Sequence, residues 1–251
     1  MFYRIACLLF LLLWAGEAMA AHPLITDDAG TQGTGKYLLE FGAEYVHKTR
    51  EEKTEDTTMI SPQLTAGVRE NVDLILQLPY QSKRTKEGDE TTTEDGITDT
   101  LIFVKWRFYE KDGFSLALKP GMTVPTGDDN KGRGAGRTTY LAYFIATKEI
   151  EPVAIHVNLG YRRNENRIDE RRDIYYASIA GEWKVAKDLK LVLDTGIERN
   201  ADKSSTVDPA FIMGGVIYSL TKSLDIDGGV RRWWNNLDKD YAVCACITWR
   251  F

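Results

Sequence analysis

The stretch YAVCACITWRF, residues 241–251, alternates strictly. Tyr241, Val243, Ala245, Ile247, Trp249 and Phe251 share one parity, and Ala242, Cys244, Cys246, Thr248 and Arg250 the other. Successive side chains point to opposite faces of a β-strand, so this is one strand with an apolar face and a mixed face. A water-soluble protein would rarely leave so apolar a last strand unpaired. The rest of the chain must therefore say what that face touches.

The other end of the chain narrows the answer. MFYRIACLLFLLLWAGEAMA, residues 1–20, has a short basic start at Arg4, an apolar run and an Ala18-Met19-Ala20 cleavage pattern. That is the pattern of a secretory signal peptide. Cys7 precedes most of the apolar run and so does not sit where a lipid-modified cysteine would. The net charge of −5 over 251 residues argues against nucleic acid as a partner. Beyond the leader no apolar run is long enough for a membrane-spanning helix. The two cysteines left after the leader, Cys244 and Cys246, do not make a disulfide framework.

Alternation recurs along nearly the whole chain after Gly35. Tyr37, Leu39, Phe41, Ala43 and Tyr45 oppose Glu40, Gly42 and Glu44. Leu74, Leu76, Leu78 and Tyr80 oppose Asp73 and Gln77, and Ile102, Val104, Trp106 and Phe108 oppose Lys105 and Arg107. Val153, Ile155, Val157, Leu159 and Tyr161 oppose His156, Asn158 and Arg162, and Leu224, Ile226 and Val230 oppose Asp225, Asp227 and Arg231. Similar segments bring the number to about twelve strands of roughly ten residues, the length of a tilted transmembrane β-strand. One segment resists assignment: residues 138–147 are apolar on both parities. Phe211, Met213, Gly215 and Ile217 lie on one parity of a later strand.

Connections alternate too. Short ones fall at 69–71, 111–113, 148–152, 186–188 and 220–222; long polar ones fall at 48–58, 82–97, 127–137, 163–172, 200–207 and 235–239. Short periplasmic turns and long extracellular loops are the habit of outer-membrane barrels. In hydrocarbon every backbone N–H and C=O needs an internal partner, so the strands must close into a barrel. Closure pairs the first strand with the last, and the apolar face of 241–251 then meets lipid. Aromatic residues sort to strand ends as two belts, with Trp106, Phe108, Trp183, Trp249 and Phe251 on the periplasmic side and Tyr45, Tyr80, Tyr161, Trp233, Trp234 and Tyr241 on the extracellular side.

The fold expected is all-β, a transmembrane antiparallel barrel spanning 35–251, preceded by an N-terminal segment, 21–34, that either plugs the lumen or hangs below it. Glu40, Glu44, Lys105, Arg107, Lys119, His156, Glu182, Asp194, Asp225, Asp227 and Arg231 are expected to line the lumen. Both charge signs occur, so no single-sign selectivity ring is expected. The charges either flank a solute path or brace a filled barrel as ion pairs. Eight strands fill with side chains and sixteen leave a channel, and twelve lies between.

Several stretches also carry a family resemblance. HPLITDDAGTQGTGKYLLEFG (22–42), KPGMTVPTGDDNKGRGAG (119–136) and VNLGYRRN (157–164) resemble the family named for a meta-pathway of phenol degradation. The last strand, with Trp249 and Phe251, resembles the C-terminal signal read by the bacterial barrel-assembly machinery. The resemblance implies an outer-membrane transporter with a link to aromatic compounds; it brings no agreed binding residues.

Other candidates for chemistry are weaker. The loop PTGDDNKGRGAG, 125–136, lacks the oxygen-ligand spacing of a calcium loop and the Lys-Ser/Thr of a phosphate loop, so no metal or cofactor is expected. Cys244 and Cys246 sit at i, i+2 on one face, a poor geometry for a disulfide, and read as small lumen filler. His22, His47 and His156 are the only histidines. A membrane hydrolase would need Ser and His together on the lipid-facing wall, whereas His156 is expected inside. The expected function is therefore passive passage of small solutes, hydrophobic or aromatic in class, and no enzyme. The alternative is a filled barrel acting through its exposed loops. The expected partners are outer-membrane lipid, the assembly machinery and the solute.

Overall fold

The computed structural model of the protein describes residues 23–50, 53–234 and 240–251. The expected signal peptide, His22 and the connection 235–239 lie outside the described residues. The strands in chain order are β1 (Tyr37–Arg50), β2 (Lys53–Arg69), β3 (Val72–Gln77), β4 (Tyr80–Glu87), β5 (Glu90–Ile97), β6 (Thr100–Lys111) and β7 (Phe114–Val124). They continue with β8 (Tyr140–Ile150), β9 (Val153–Arg163), β10 (Asp173–Ala186), β11 (Leu189–Glu198), β12 (Ala210–Ser219), β13 (Leu224–Trp233) and β14 (Tyr241–Arg250). All neighbouring pairs are antiparallel.

Fourteen ladder segments make twelve wall strands. β3 and β4 both pair with β2 and are one wall strand interrupted at Leu78-Pro79; β5 and β6 are likewise one strand interrupted at Thr98-Asp99. Pro79 cannot donate to a ladder, and its carbonyl takes the N–H of Thr98, so the two breaks lie side by side. β1 and β14 close the barrel, in register from Leu38↔Arg250 to His47↔Tyr241. Tyr37 and Phe251 exchange both backbone hydrogen bonds (2.8 and 3.0 Å), and their rings stack at 5.6 Å. The apolar last strand thus has no free edge, as a lipid-embedded sheet requires.

The outer wall is apolar. Phe41, Leu64, Leu76, Val104, Leu118, Phe144, Val157, Ile179, Leu193, Val216, Ile226 and Ile247 are all more than a third exposed. Contiguous exposed apolar surface on that scale belongs in hydrocarbon. The ambiguous segment, 138–147, resolves, and the facing of β12 is also defined. In β8, Tyr140 and Phe144 face out while Leu141 and Ile145 are buried inside; in β12, Phe211, Met213 and Ile217 face in and Ile212, Val216 and Tyr218 face out. Of the aromatic belts, one residue departs from expectation. Trp233 shares the inward parity of Arg231, and its ring lies 4.7 Å from the Arg231 guanidinium carbon.

The short turns fall where expected. Between β6 and β7, Asp112 and Gly113 both have positive φ (51° and 70°), the geometry of a primed two-residue hairpin turn. Two of the expected long loops are instead strand. β1 and β2 continue to Arg50 and from Lys53, and β4–β5 form a hairpin over 80–97, so the wall extends as a polar ribbon. The remaining loop near this rim, 125–139, is pinned by Asp99, which accepts the N–H groups of Gly127 (3.1 Å) and Ala135 (2.9 Å).

Candidate functional site: the occupied lumen

Residues 23–34 enter the barrel and cross its lumen. They have little regular structure, so their backbone groups need partners from the wall. Near the periplasmic mouth the Thr34 N–H donates to Glu70 Oε1 at 3.3 Å, and the Thr31 hydroxyl donates to the Glu70 carbonyl at 2.8 Å. Gly33 passes so close to Gly67 that a Cβ on Gly67 would lie 1.8 Å from the Gly33 carbonyl oxygen. Gln32 N–H donates to both carboxylate oxygens of Asp73 on β3, at 3.1 Å each. Ala29 N–H donates to the Thr147 hydroxyl on β8 at 2.9 Å. Asp27 exchanges two hydrogen bonds with the Asn158 side chain on β9, its N–H donating at 2.8 Å and its carbonyl accepting at 2.7 Å. Ile25 and Thr26 N–H groups donate to Asp194 on β11, and the Thr26 hydroxyl is shared between Asp194 and Ser178.

Two apolar contacts complete the docking. Ala29 packs with Ala117 and Ile145, and Leu24 packs with Ala180, Val192 and Ile217. They explain why β8 and β12 are apolar on both parities: their inner faces meet the segment or its neighbours, not water.

The centre of the arrangement is ionic. Asp27 places one carboxylate oxygen 2.9 Å from Lys105 Nζ on β6 and the other 2.7 Å from Lys119 Nζ on β7. Burial pushes the Asp27 carboxyl up, but the two ammonium groups outweigh it and hold the acid well below the usual carboxylate range. Asp28 stands 3.8 Å from Lys105, and Lys119 also lies 4.9 Å from the centre of the Phe103 ring.

The eleven residues expected to face the lumen divide into three groups by their contacts. Lys105, Lys119 and Asp194 hold the N-terminal segment. A second group pairs along the wall: Arg231 with Glu44 (2.7 Å), Asp225 with Arg250 (2.6 Å), and Glu182 with Lys190 (3.2 Å) and His156 (3.6 Å). Glu40 accepts from Gln63, and Asp227 is buried on β13 opposite Cys246. Arg107 forms the third group at the mouth, 3.1 Å from Glu110 and donating to the Glu70 carbonyl at 3.4 Å. Asp27, Asn158, Thr147, Ser178 and Asp73 were not among the residues expected at the site. Asn158 and Asp73 carried the inward parity; Asp27 carried only its place in an acidic pair ahead of the first strand.

A void remains on the opposite side of the lumen. It is a cavity of about 190 Å³, bounded by Leu24, Glu40, Glu44, Met59, Met213 and Cys244 among others. Small inward residues, Gly42, Ser61, Cys244 and Cys246, leave room for it between the longer side chains. Both cysteines are free. On the outer wall an apolar depression of about 440 Å³ lies between Val104, Trp106, Leu118, Pro120 and Ala142. There the β6–β7 ladder lacks pairs for Val104 and Lys105, opposite Lys119 and Pro120.

The family can now be stated. Residues 20–251 match the model of the family described as "Putative MetA-pathway of phenol degradation". The chain belongs to that family. No curated protein matches it in sequence. Among solved structures it is similar to the COG4313 outer membrane channel from Pseudomonas putida F1, with a TM-score of 0.68 and 14% identity over 89% of this chain and 98% of that one. It is also similar to the translocator domain of autotransporter NalP from Neisseria meningitidis (TM-score 0.54, 9% identity, 87% and 89% covered). The KdgM porin in complex with disordered oligogalacturonate gives a TM-score of 0.54 at 10% identity, with 85% and 99% covered. At these identities the likeness concerns the outer-membrane barrel fold.

Proposed function

We propose that the protein is an outer-membrane channel for passive passage of small solutes, closed at rest by its own N-terminal segment. One observation carries the reading: what closes the lumen is a crossing piece of chain, residues 23–34, held by side-chain hydrogen bonds and one ionic clasp. A barrel meant to stay filled would close its lumen with wall side chains, which no motion can clear. A docked segment can leave, and loop motions of this kind run on the nanosecond-to-millisecond scale. Export draws support from the leader pattern, and location in the outer membrane from the apolar wall. Preference for hydrophobic or aromatic solutes draws support from the family description and from Leu24, Met59 and Met213 beside the void.

A second reading has its own observation. The polar ribbon of β1, β2, β4 and β5 stands clear of the apolar wall and could serve surface interactions. The deciding experiment is single-channel recording of refolded protein in a planar bilayer, with and without residues 21–34. Large discrete current steps in the shortened protein, and small or rare ones in the intact chain, support the channel. Silence in both, from protein shown to be folded, favours the ribbon.

A further inference from the structure

Lumen cations other than the central clasp pair within the wall. Arg231, Arg250, Lys190 and Arg162 each pair with a wall carboxylate: Glu44, Asp225, Glu182 and Glu198. Lys105 and Lys119 do not. Among the described residues their ion-pair contacts are to Asp27 and Asp28, both in the N-terminal segment. Asp73 stands opposite Lys105 in register, but its carboxylate is turned to the Gln32 N–H. When the segment undocks, two ammonium groups on the lumen wall face at most one wall carboxylate. The wall alone is then short of one negative charge at this place, which an anion from outside the chain can supply.

The surroundings say what kind of anion fits. The Phe103 ring lies against Lys119, with the Tyr143 ring 6.3 Å from it at an interplanar angle of 53°. Leu141 and Ile75 back the same cluster. A carboxylate beside two ammonium groups, with an apolar aromatic surface adjoining, accommodates an acid carried on a ring.

We propose that Lys105 and Lys119, with Phe103 and Tyr143, form a binding site for an aromatic carboxylate solute, and that Asp27 occupies this site as an internal surrogate when the segment is docked. The inference rests on the channel reading for its role in transport, since it names the solute class and the group the solute displaces. Solute and Asp27 compete for the same ammonium groups, so the solute binds the undocked state and shifts the population toward it. The solute thereby helps to open its own path.

The test uses the intact chain. Binding of benzoate, acetate, benzyl alcohol and inorganic phosphate is measured by titration calorimetry in detergent, on the natural protein and on Asp27→Ala. Folding is checked by heat-dependent gel mobility. Benzoate should bind Asp27→Ala at least about tenfold more tightly than the natural protein, as expected for hydrogen bonds to charged groups. Benzyl alcohol should show no such gain. Adding Lys105→Met and Lys119→Met should abolish the benzoate gain, and should that variant fail to fold, Asp27→Ala with Lys119→Gln should lose most of it. No gain for benzoate, or a gain that survives loss of the lysines, overturns the proposal. Equal gains for acetate overturn its aromatic part, and a larger gain for phosphate makes an inorganic anion the occupant and overturns the solute class. Conductance is not needed for this result. A silent barrel that binds benzoate refutes the channel and keeps the site, and a conducting barrel with no gain does the reverse.

Discussion

Val157 and Asn158 are neighbours on β9 with opposite surroundings, and replacing each in turn separates the barrel from its plug. Val157 faces out near mid-strand and is 36% exposed; Asn158 is 2% exposed and holds Asp27 through two hydrogen bonds of 2.7 and 2.8 Å. Arginine at position 157 puts a charge against the middle of the hydrocarbon, a cost of about 2–4 kcal/mol. Alanine at position 158 leaves the β8–β9–β10 ladders intact, because those use backbone groups. It removes two plug contacts at about 1 kcal/mol each. Docking should therefore weaken by roughly 2 kcal/mol, which is about thirtyfold in the undocked population. Two assays read the two effects. Equilibrium unfolding in lipid vesicles should show Val157→Arg strongly destabilised and Asn158→Ala close to the natural protein. Single-channel recording should show the fraction of time in high-conductance states rising by about thirtyfold for Asn158→Ala, as long as that fraction stays small. An unchanged open fraction for Asn158→Ala, in protein that folds normally, refutes the claim that this contact holds the lumen shut. Equal destabilisation by both changes refutes the inside–outside assignment.

Three further outcomes follow from other contacts. Deleting Phe251 removes the backbone pair with Tyr37 and the stacked ring that complete closure, so the amount of folded protein recovered from the outer membrane should fall severalfold. Gly67→Ala drives a Cβ into the Gly33 backbone, where no side chain can give way, so the segment should undock and its amides should lose hydrogen-exchange protection while the barrel amides keep theirs. Because the acidity of Asp27 is enhanced on docking, its contribution is complete above the ordinary carboxylate range and is lost as pH falls through it toward the depressed value. The Asp27 contribution should thus make the open fraction rise as pH falls below about 4, and the rise should be absent in Asp27→Asn; a rise that persists in that variant would contradict the assignment.

The wall was readable from sequence because lipid imposes one rule on every strand. It must present apolar side chains on alternate positions, so Val153–Arg163 and Tyr241–Arg250 announce themselves. Where the inner face is also dry the rule gives no contrast, and residues 138–147 hid their facing because Ile145 packs on Ala29. Above the membrane the rule lapses. Residues 53–58 and 90–97 read as loop because neither face is apolar, yet their threonines, Thr54, Thr57, Thr58 and Thr91 to Thr93, were a β-propensity signal left unused. Trp233 was placed in a lipid belt by its location at a strand end, although its parity matched Arg231. The clasp was beyond reach for another reason. Asp27 meets Lys105 and Lys119 across 78 and 92 residues, and no local pattern encodes such a contact.

The lumen is asymmetric, and that asymmetry decides what can pass without undocking. On one side β6 to β11 present Phe103, Tyr143, Ile145, Asn158 and Asp194, and the N-terminal segment lies against them. On the other, the small inward residues of β1, β2 and β14 leave the void uncovered. Its volume of about 190 Å³ is below the roughly 300 Å³ at which pockets for small organic ligands begin. Water, small ions and at most one small bare ring fit that space; a bulkier solute does not. The docked barrel therefore leaks little and admits nothing large, whereas displacement of residues 23–34 joins the void to the aromatic side and exposes Lys105 and Lys119 in the same movement. Size exclusion and solute recognition thus depend on one event, the release of Asp27.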